Sequence, residues 1–209
     1  MTGLRMGISY DRVPNSTPLL LDYLYHFERV ADFYTAPPFK LSSYQNLAGK
    51  LRASTNSRQA LADILIRQNK EFDGSPAVFE NIQRLRDASK FAVVTGQQIG
   101  LFSGPAFTLY KALTAVRLAQ WLSENGLPSV PVFWLATEDH DLEEVSQTAV
   151  LDEEYALVPL STAGERPAPR SPVGMVKLTS AITETLSLLE SSLPAGGPRD
   201  EVMRDLRDA

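Results

Sequence analysis

Four consecutive residues that can do chemistry, Glu138, Asp139, His140 and Asp141, follow the apolar run Val130–Leu135. Three carboxylates around one imidazole put several titrating groups in a small volume, where mutual repulsion favours a bound cation or a protonated imidazole. Such a cluster suits general acid–base chemistry, metal binding or capture of a substrate ammonium group. One histidine among adjacent acids has no diagnostic metal-ligand spacing, so these three chemistries stay open.

The same cluster also has a structural explanation. Glu144 lies three residues after Asp141, which is the spacing of a capping box at the start of a helix. Capping accounts for Asp141 but not for Asp139 and His140. Because these two residues follow a buried strand, where α/β proteins place ligand-binding groups, we predict a functional role for both.

A glycine-rich segment follows the apolar run Phe91–Thr95 and is the second candidate site. Its three glycines, Gly96, Gly100 and Gly104, permit a close backbone approach or a positive φ, and Ser-Gly-Pro at 103–105 predicts a helix start. A helix N-terminus after such a loop binds phosphate or carboxylate. Neither glycine fingerprint of nucleotide-binding proteins is present, so a simple strand-to-helix turn explains the glycines equally well.

Three polar side chains accompany the glycine loop. Gln97 and Gln98 supply neutral donors and acceptors, and Lys111 follows Pro105 by six residues. That spacing is roughly 9 Å along a helix axis, and helical side chains lean toward the N-terminus. Lys111 is therefore either a partner for an anion at the helix start or a solvated surface lysine.

The elements between the two sites predict a parallel crossover. The segment after the glycine loop has helical periodicity at Leu109, Leu113, Val116, Ala119 and Leu122, and it joins two short apolar runs. A connection of this length fits a strand–helix–strand unit rather than a hairpin. Both loops then lie at the carboxyl edge of one sheet, so we expect the glycine loop and the acidic–histidine cluster to face one crevice.

The flanking segments complete an α/β pattern. Apolar spacing predicts one helix from Pro18 to Tyr34, ended by Pro37 and Pro38, and two more before residue 90. After the core, short strands are predicted over 148–151, 156–160 and 173–178, and a helix over 182–193. We therefore expect an N-terminal helical segment, residues 1–90, that packs on an α/β core, residues 91–209.

Composition narrows the class of ligand. The chain has 209 residues, a net charge of -5, 44% hydrophobic residues and no cysteine. The acidic balance offers no electrostatic footprint for nucleic acid, and the lack of cysteine excludes thiol catalysis by this segment. No apolar stretch reaches the roughly 20 residues that span a bilayer. We expect a cytoplasmic protein with a small-molecule ligand and neither nucleic-acid nor membrane partners.

Two long motifs resemble one family. TGQQIGLFSGPAFTLYKALTAVRLA at 95–119 and PVFWLATEDHDLEEV at 131–145 are similar to the signature region of BshC, the cysteine-adding enzymes of bacillithiol biosynthesis. ENIQRLRD at 80–87 and PVGMVKL at 172–178 also resemble that family. The resemblance covers most of the chain.

The resemblance implies a Rossmann-like core with a parallel sheet, followed in the family by a helical coiled-coil region through which full-length members form homodimers. The chain stops at Ala209, inside an apparent helix that begins near Pro198. We therefore expect it to be truncated before the coiled-coil region and incomplete at the C-terminus of the core.

The implied activity is a cysteine ligase that joins the carboxyl group of cysteine to the amine of glucosaminyl malate. A carboxylate is a poor electrophile, so we infer activation by ATP with Mg²⁺ from the chemistry, not from a motif. The catalytic residues are then Asp139, His140 and Asp141, with His140 as the base. The substrate- or nucleotide-binding residues are Thr95, Gly96, Gln97, Gln98, Gly100, Ser103, Gly104, Lys111 and Glu138.

Two other functions stay open. Carboxylates at a strand end are also Mg²⁺ ligands in metal-assisted nucleotidyl or phosphoryl transferases. A non-catalytic nucleotide- or sugar-binding module would bind ligand without turnover and would tolerate loss of His140. The residues do not identify a metal site or the role of each acid.

Overall fold

The computed structural model describes residues 7–51, 55–98 and 100–208, with the side chains of residues 55 and 56 left aside. The chain divides into two compact units, one formed by Met1–Phe91 with Trp121–Ser129 and the other by Ala92–Gln120 with Val130–Ala209. No helix in the described ranges is long and apolar enough to cross a membrane.

The first unit is mainly helical. Its helices are α1 (Pro18–Tyr25), α2 (Leu41–Lys50), α3 (Thr55–Glu71) and α4 (Pro76–Leu85). Arg58 on α3 holds α4 in place, because its Nη1 donates to the carbonyls of Leu85, Asp87 and Lys90 at 3.3, 2.9 and 2.9 Å. These bonds satisfy carbonyls at and just beyond the end of α4.

The prediction of one helix from Pro18 to Tyr34 was wrong. The start is as expected, since Thr17 Oγ1 accepts from the Leu20 N–H at 3.2 Å. The helix ends at Tyr25, and a short 3₁₀ turn, Phe27–Arg29, follows. The ring of Tyr34 packs against that of Tyr23 with centroids 4.6 Å apart, so the aromatic spacing reflects a cluster across a turn rather than one continuous helical face.

The second unit contains the site and nearly all of the strand residues. Its elements are β1 (Phe91–Gln98), α5 (Ala106–Glu124), β2 (Ser129–Ala136), α6 (Leu142–Val145), β3 (Gln147–Leu151), β4 (Leu157–Ser161), β5 (Gly164–Glu165), β6 (Lys177–Leu178), α7 (Ala181–Ser192) and α8 (Gly197–Asp208). Phe91 of β1, Ser129 of β2 and residues 121–124 of α5 belong to the first unit. β1 pairs with β2. β3 pairs antiparallel with β4, and β5 pairs antiparallel with β6. A small core of Leu160, Leu189 and Met203 ties β4 to α7 and α8.

The predicted parallel crossover is confirmed. The Phe91 N–H donates to the Pro128 carbonyl at 2.9 Å, beside the starts of the two strands, and Gly96 lies against Trp134 further along both strands. β1 and β2 therefore run in the same direction with α5 as the crossover. This arrangement brings the carboxyl ends of both strands to one edge.

Several predicted boundaries differ from the structure. β1 extends to Gln98, so Gly96, Gln97 and Gln98 belong to the strand and not to the loop. On α5, Leu109 and Leu113 are 61% and 48% exposed, whereas Ala119 and Leu122 are buried as expected. The predicted strand over 173–178 is wrong for its first half, which is a 3₁₀ turn at Val173–Met175. Strand β6 keeps only the last two residues.

Candidate functional site

A directed series of hydrogen bonds joins α5 to the loop after β2. Lys111 Nζ donates to Gln97 Oε1 at 2.8 Å, and Gln97 Nε2 donates to Gln98 Oε1 at 2.8 Å. Gln98 Nε2 then donates to Asp139 Oδ2 at 2.8 Å and to Glu144 Oε2 at 3.1 Å. Each bond points from the ammonium group toward the carboxylates, so neighbouring bonds polarise one another. The series links a positive charge to two negative ones through neutral amides.

Asp139 is the acceptor at the centre of the site. Besides the Gln98 amide, its Oδ1 accepts from the main-chain N–H groups of His140 at 2.6 Å and Asp141 at 3.2 Å. Hydrogen bonds from Gln98 first, and then from Asp141 and His140, hold the pKa of Asp139 below its ordinary value. Asp139 is therefore an ionised acceptor at neutral pH and not a proton donor.

His140 is fixed through its backbone while its ring is open to solvent. Its N–H donates to Asp139 as above, and its carbonyl accepts from Arg166 Nη2 at 2.7 Å. The imidazole is 67% exposed, and its Nδ1 lies 3.7 Å from Asp139 Oδ1. The ring can thus meet a substrate and keep an anionic neighbour.

Asp141 and Glu138 have partners of other kinds. Asp141 Oδ1 accepts from the Glu144 N–H at 3.1 Å and caps α6, which confirms the predicted capping. The Glu144 carboxylate is directed to Gln98, so the second half of the predicted box serves the site instead. Glu138 Oε1 accepts from the indole N–H of Trp134 at 3.2 Å. Neither Asp141 nor Glu138 is placed to orient the His140 ring.

The glycine loop has an unusual backbone. Phe102, Ser103 and Gly104 have φ values of 50°, 74° and 71°, so two non-glycine residues in a row adopt the left-handed region. Such residues cost about 1–3 kcal/mol each and cluster at functional sites. A Cβ on Gly100 would come within 2.7 Å of Gly104 Cα, because the two glycine backbones touch. The loop leads into the first turn of α5.

A buried hydroxyl lies beside that loop. Thr108 Oγ1, in the first turn of α5, is buried without a hydrogen-bond partner in the structure, and it lies 3.7 Å from the position of a Cβ on Gly104. Helix N-termini carry main-chain N–H groups that intrahelical bonds do not satisfy. The start of α5 therefore has the donors expected for an anion.

Thr95 lies in β1 as predicted, whereas Gly96 was predicted to lie in the loop and is a strand residue instead. A Cβ on Gly96 would lie 3.0 Å from both the Cβ and the carbonyl oxygen of Trp134. Gly96 thus favours the close approach of β1 and β2 at this point. Thr95, its neighbour, is a half-buried strand residue.

The structure therefore connects Gln97, Gln98, Lys111 and Asp139 directly and places His140 beside them. Ser103, Gly100 and Gly104 form the adjoining loop. Two contributors to the site were missed as such by sequence reasoning, Glu144 and Arg166. The capping-box spacing explained Glu144 too readily, and Arg166 lies in a proline-rich segment without any periodic pattern.

The carboxylates of the site are not arranged as ligands for a resident divalent cation. Both oxygens of Asp139 accept N–H groups, and Asp141 Oδ1 caps a helix. In the part of the chain that the structure describes, no group of three or more His, Cys, Asp or Glu side chains is arranged to hold a metal ion.

A cavity of about 880 Å³ lies in the same unit. Its walls are mainly apolar, with side chains from α6, α7, α8 and the segment before β6. The lining includes Gly100 and Gly174 but neither Asp139 nor His140. The cavity is thus a neighbour of the polar site and not its interior.

Comparison with known proteins identifies the family. The model of the family described as bacillithiol biosynthesis BshC, N-terminal Rossmann-like domain, matches residues 6–209. The chain belongs to the BshC family. Its Rossmann-like fold, with helices and a parallel sheet, is the one that the sequence motifs implied.

Curated relatives agree with this assignment. Three proteins named “Putative cysteine ligase BshC” come from Solibacter usitatus, Salinibacter ruber and Symbiobacterium thermophilum. They are 45%, 36% and 32% identical to the chain over 88%, 91% and 90% of its length. The matches cover 33%, 35% and 34% of the relatives, so the chain spans about a third of the length of the curated relatives it matches.

Proposed function

We propose that the full-length protein is the cysteine ligase of bacillithiol biosynthesis, which joins the carboxyl group of cysteine to the amine of glucosaminyl malate. Membership of the BshC family supports the reaction. The hydrogen bond of 2.8 Å between Gln98 and Asp139 is the observation that supports the site, because it joins the two motifs at the carboxyl ends of adjacent strands.

His140 is the proposed base. As the amine attacks the activated carbonyl of cysteine, the new carbon–nitrogen bond forms and the nitrogen must lose a proton, which the exposed imidazole accepts. Asp139, 3.7 Å away and ionised, stabilises the resulting imidazolium. Asp139 acts as a neighbouring charge and does not take up the proton itself.

The charge distribution supports substrate placement. Five carboxylates at residues 138, 139, 141, 143 and 144 favour a substrate ammonium group. Lys111 and the N-terminus of α5 favour an anion, which is a malate carboxylate or a phosphate. The two charged regions are joined through Gln97 and Gln98, so an amine and an anionic group of one substrate would be held on either side of the amides.

Activation of cysteine by ATP is part of the proposal. The cysteine carboxylate would displace pyrophosphate from ATP to give an acyl adenylate, or ADP to give an acyl phosphate. The amine would then displace AMP or phosphate from the activated carbonyl. Mg²⁺ enters with the nucleotide as part of the co-substrate, because Asp139 and Asp141 are engaged in other bonds. We also propose a cytoplasmic location and a homodimeric full-length protein.

The test is product formation by the full-length protein from glucosaminyl malate and cysteine, with and without Mg-ATP, followed by mass spectrometry. Bacillithiol only with nucleotide is the expected result. His140→Ala should lower kcat by about 10²–10⁴-fold. His26→Ala is the matched control, since the chain has 2 histidines and both are exposed. Full activity of His140→Ala would remove the base from the mechanism.

A further inference from the structure

The segment from β5 to β6 forms an ordered hairpin, here called the clamp hairpin (residues 164–178). β5 and β6 pair at its base over two residues each. Gly164 favours this pairing, because a Cβ there would clash with Val176 Cγ1. Near the tip, Ser171 Oγ accepts from the Ala168 N–H at 3.0 Å and donates to the Ala168 carbonyl at 2.7 Å. The proline-rich sequence thus has a defined shape.

The clamp hairpin directs three donors to the loop that contains His140. Each donor reaches a main-chain carbonyl within residues 137–140, and together they satisfy most carbonyls of this short stretch. The bonds run from Arg166 Nη2 to the His140 carbonyl at 2.7 Å, from the Val173 N–H to the Asp139 carbonyl at 2.6 Å, and from the Gly174 N–H to the Thr137 carbonyl at 3.0 Å.

We propose that Arg166 is a positioning residue for His140 and that the clamp hairpin is the element that sets the geometry of the reactive loop. This inference rests on the proposed role of His140 as the base. Arg166 acts through the His140 carbonyl, so it fixes the backbone from which the imidazole projects without contacting the ring.

The physical argument is one of constraint. The His140 ring is 67% exposed, so side-chain packing contributes little to its position. Its backbone is held on one side by Asp139, which accepts its N–H at 2.6 Å, and on the other by Arg166. A guanidinium donor makes a charge-assisted bond, stronger than one between neutral groups.

The position of Gly174 also shows how closely the clamp hairpin contacts the His140 loop. A Cβ at this position would lie 2.9 Å from Thr137 Cβ and 3.3 Å from the Thr137 carbonyl oxygen. The 3₁₀ turn at Val173–Met175 therefore approaches the loop as closely as a glycine allows. A methyl group there would push the 3₁₀ turn from the loop without removing the Arg166 side chain.

The experiment combines hydrogen exchange with kinetics in the full-length protein. Arg166→Met should increase deuterium uptake in peptides that cover residues 137–141, because the His140 loop loses one of its anchors. It should also lower kcat by about 100-fold with KM changed by less than about 3-fold, since misplacement of a reactive group by about 1 Å costs that much. Arg166→Lys, which keeps a charged donor, should recover most of the loss.

Two further variants make the outcome decisive. Arg67→Met removes an exposed arginine of α3 and should match the wild type in both measurements. Gly174→Ala should loosen the loop and lower kcat in the same direction as Arg166→Met, and it tests the proposal even where Arg166→Met fails to fold.

Unchanged deuterium uptake at residues 137–141 in Arg166→Met and Gly174→Ala would overturn the positioning role, whatever the activity. An equal loss of kcat in Arg67→Met would overturn it too, because the effect would then reflect charge alone. A different outcome is also informative. If Arg166→Met loosens the loop but the wild-type full-length protein makes no bacillithiol, the result supports positioning and rejects the proposed ligase function.

Discussion

Gln98 Nε2 lies 2.8 Å from Asp139 Oδ2, a contact between residues that are 41 positions apart in the chain. It joins the end of β1 to the loop after β2, and it is the largest cause of the lowered pKa of Asp139. The two most distinctive motifs of the sequence therefore meet through the Gln98 amide, which donates to both Asp139 and Glu144, and Gln98 of the first motif lowers the pKa of Asp139 in the second.

Replacing Gln98 by leucine should raise the pKa of Asp139 toward its ordinary value. Leucine keeps a similar volume but removes the amide donor, while the main-chain N–H groups of His140 and Asp141 still lower the pKa in part. Titration of the aspartate carboxyl carbons by NMR measures the change. Asp87 is an internal control, because a separate hydrogen bond from Ser89 lowers its pKa. An unchanged pKa of Asp139 in Gln98→Leu would show that the Gln98 amide is not the main cause of the lowered pKa.

Asp139→Asn should destabilise the protein at neutral pH and make its stability less sensitive to acid. A carboxylate with a lowered folded-state pKa contributes stability above its unfolded pKa, about 3.9, and this contribution is lost as the pH falls through the folded value. Urea midpoints measured between pH 7 and pH 3 should therefore converge for wild type and variant at the acid end. Asp11→Asn, at an exposed site, is the control. If the urea midpoints of wild type and Asp139→Asn differed by the same amount at every pH, the ionised Asp139 carboxylate would not contribute to stability as expected.

Gly100→Ala should destabilise the second unit by about 1–3 kcal/mol, the usual cost of overpacking. The new methyl would lie 2.7 Å from Gly104 Cα, and backbone must move to admit it. Gly49→Ala is the matched control, since a Cβ there meets nothing within 4 Å and the residue lies in α2. The control should be neutral or stabilising by up to about 1 kcal/mol. Chemical denaturation measures the unfolding midpoints of both variants. Equal midpoints would mean that the loop accommodates the methyl group without loss of stability.

Two variants of Asp141 separate capping from chemistry. Asp141→Ala should cost about 1 kcal/mol of folding free energy, because it removes the acceptor for the Glu144 N–H. Asp141→Asn keeps an equally good capping oxygen without the charge, so its unfolding midpoint should match the wild type. If Asp141 only caps α6, Asp141→Asn also keeps wild-type kcat in the ligase assay. A large loss of kcat in that variant would assign the charge a role in catalysis.

The crossover and the helix cap were predictable because their signals are local. Short apolar runs mark β1 and β2, helical periodicity marks α5, and the spacing from Asp141 to Glu144 marks the start of α6. Each pattern spans a few turns or one strand. The length of β1 was harder, because Gly96, Gln97 and Gln98 have poor strand propensity and are held by pairing with β2.

Sequence reasoning is sufficient for the order of strand, helix and strand, the residue types at the carboxyl ends of the strands, and the resemblance to the BshC family. The hydrogen bonds from Gln98 to Glu144 across 46 residues and from Arg166 to His140 across 26 are visible only in the three-dimensional structure. Propensity and periodicity report on neighbours along the chain. Side-chain partners that are distant in sequence depend on how strands and hairpins are placed in space, and no local pattern encodes that placement.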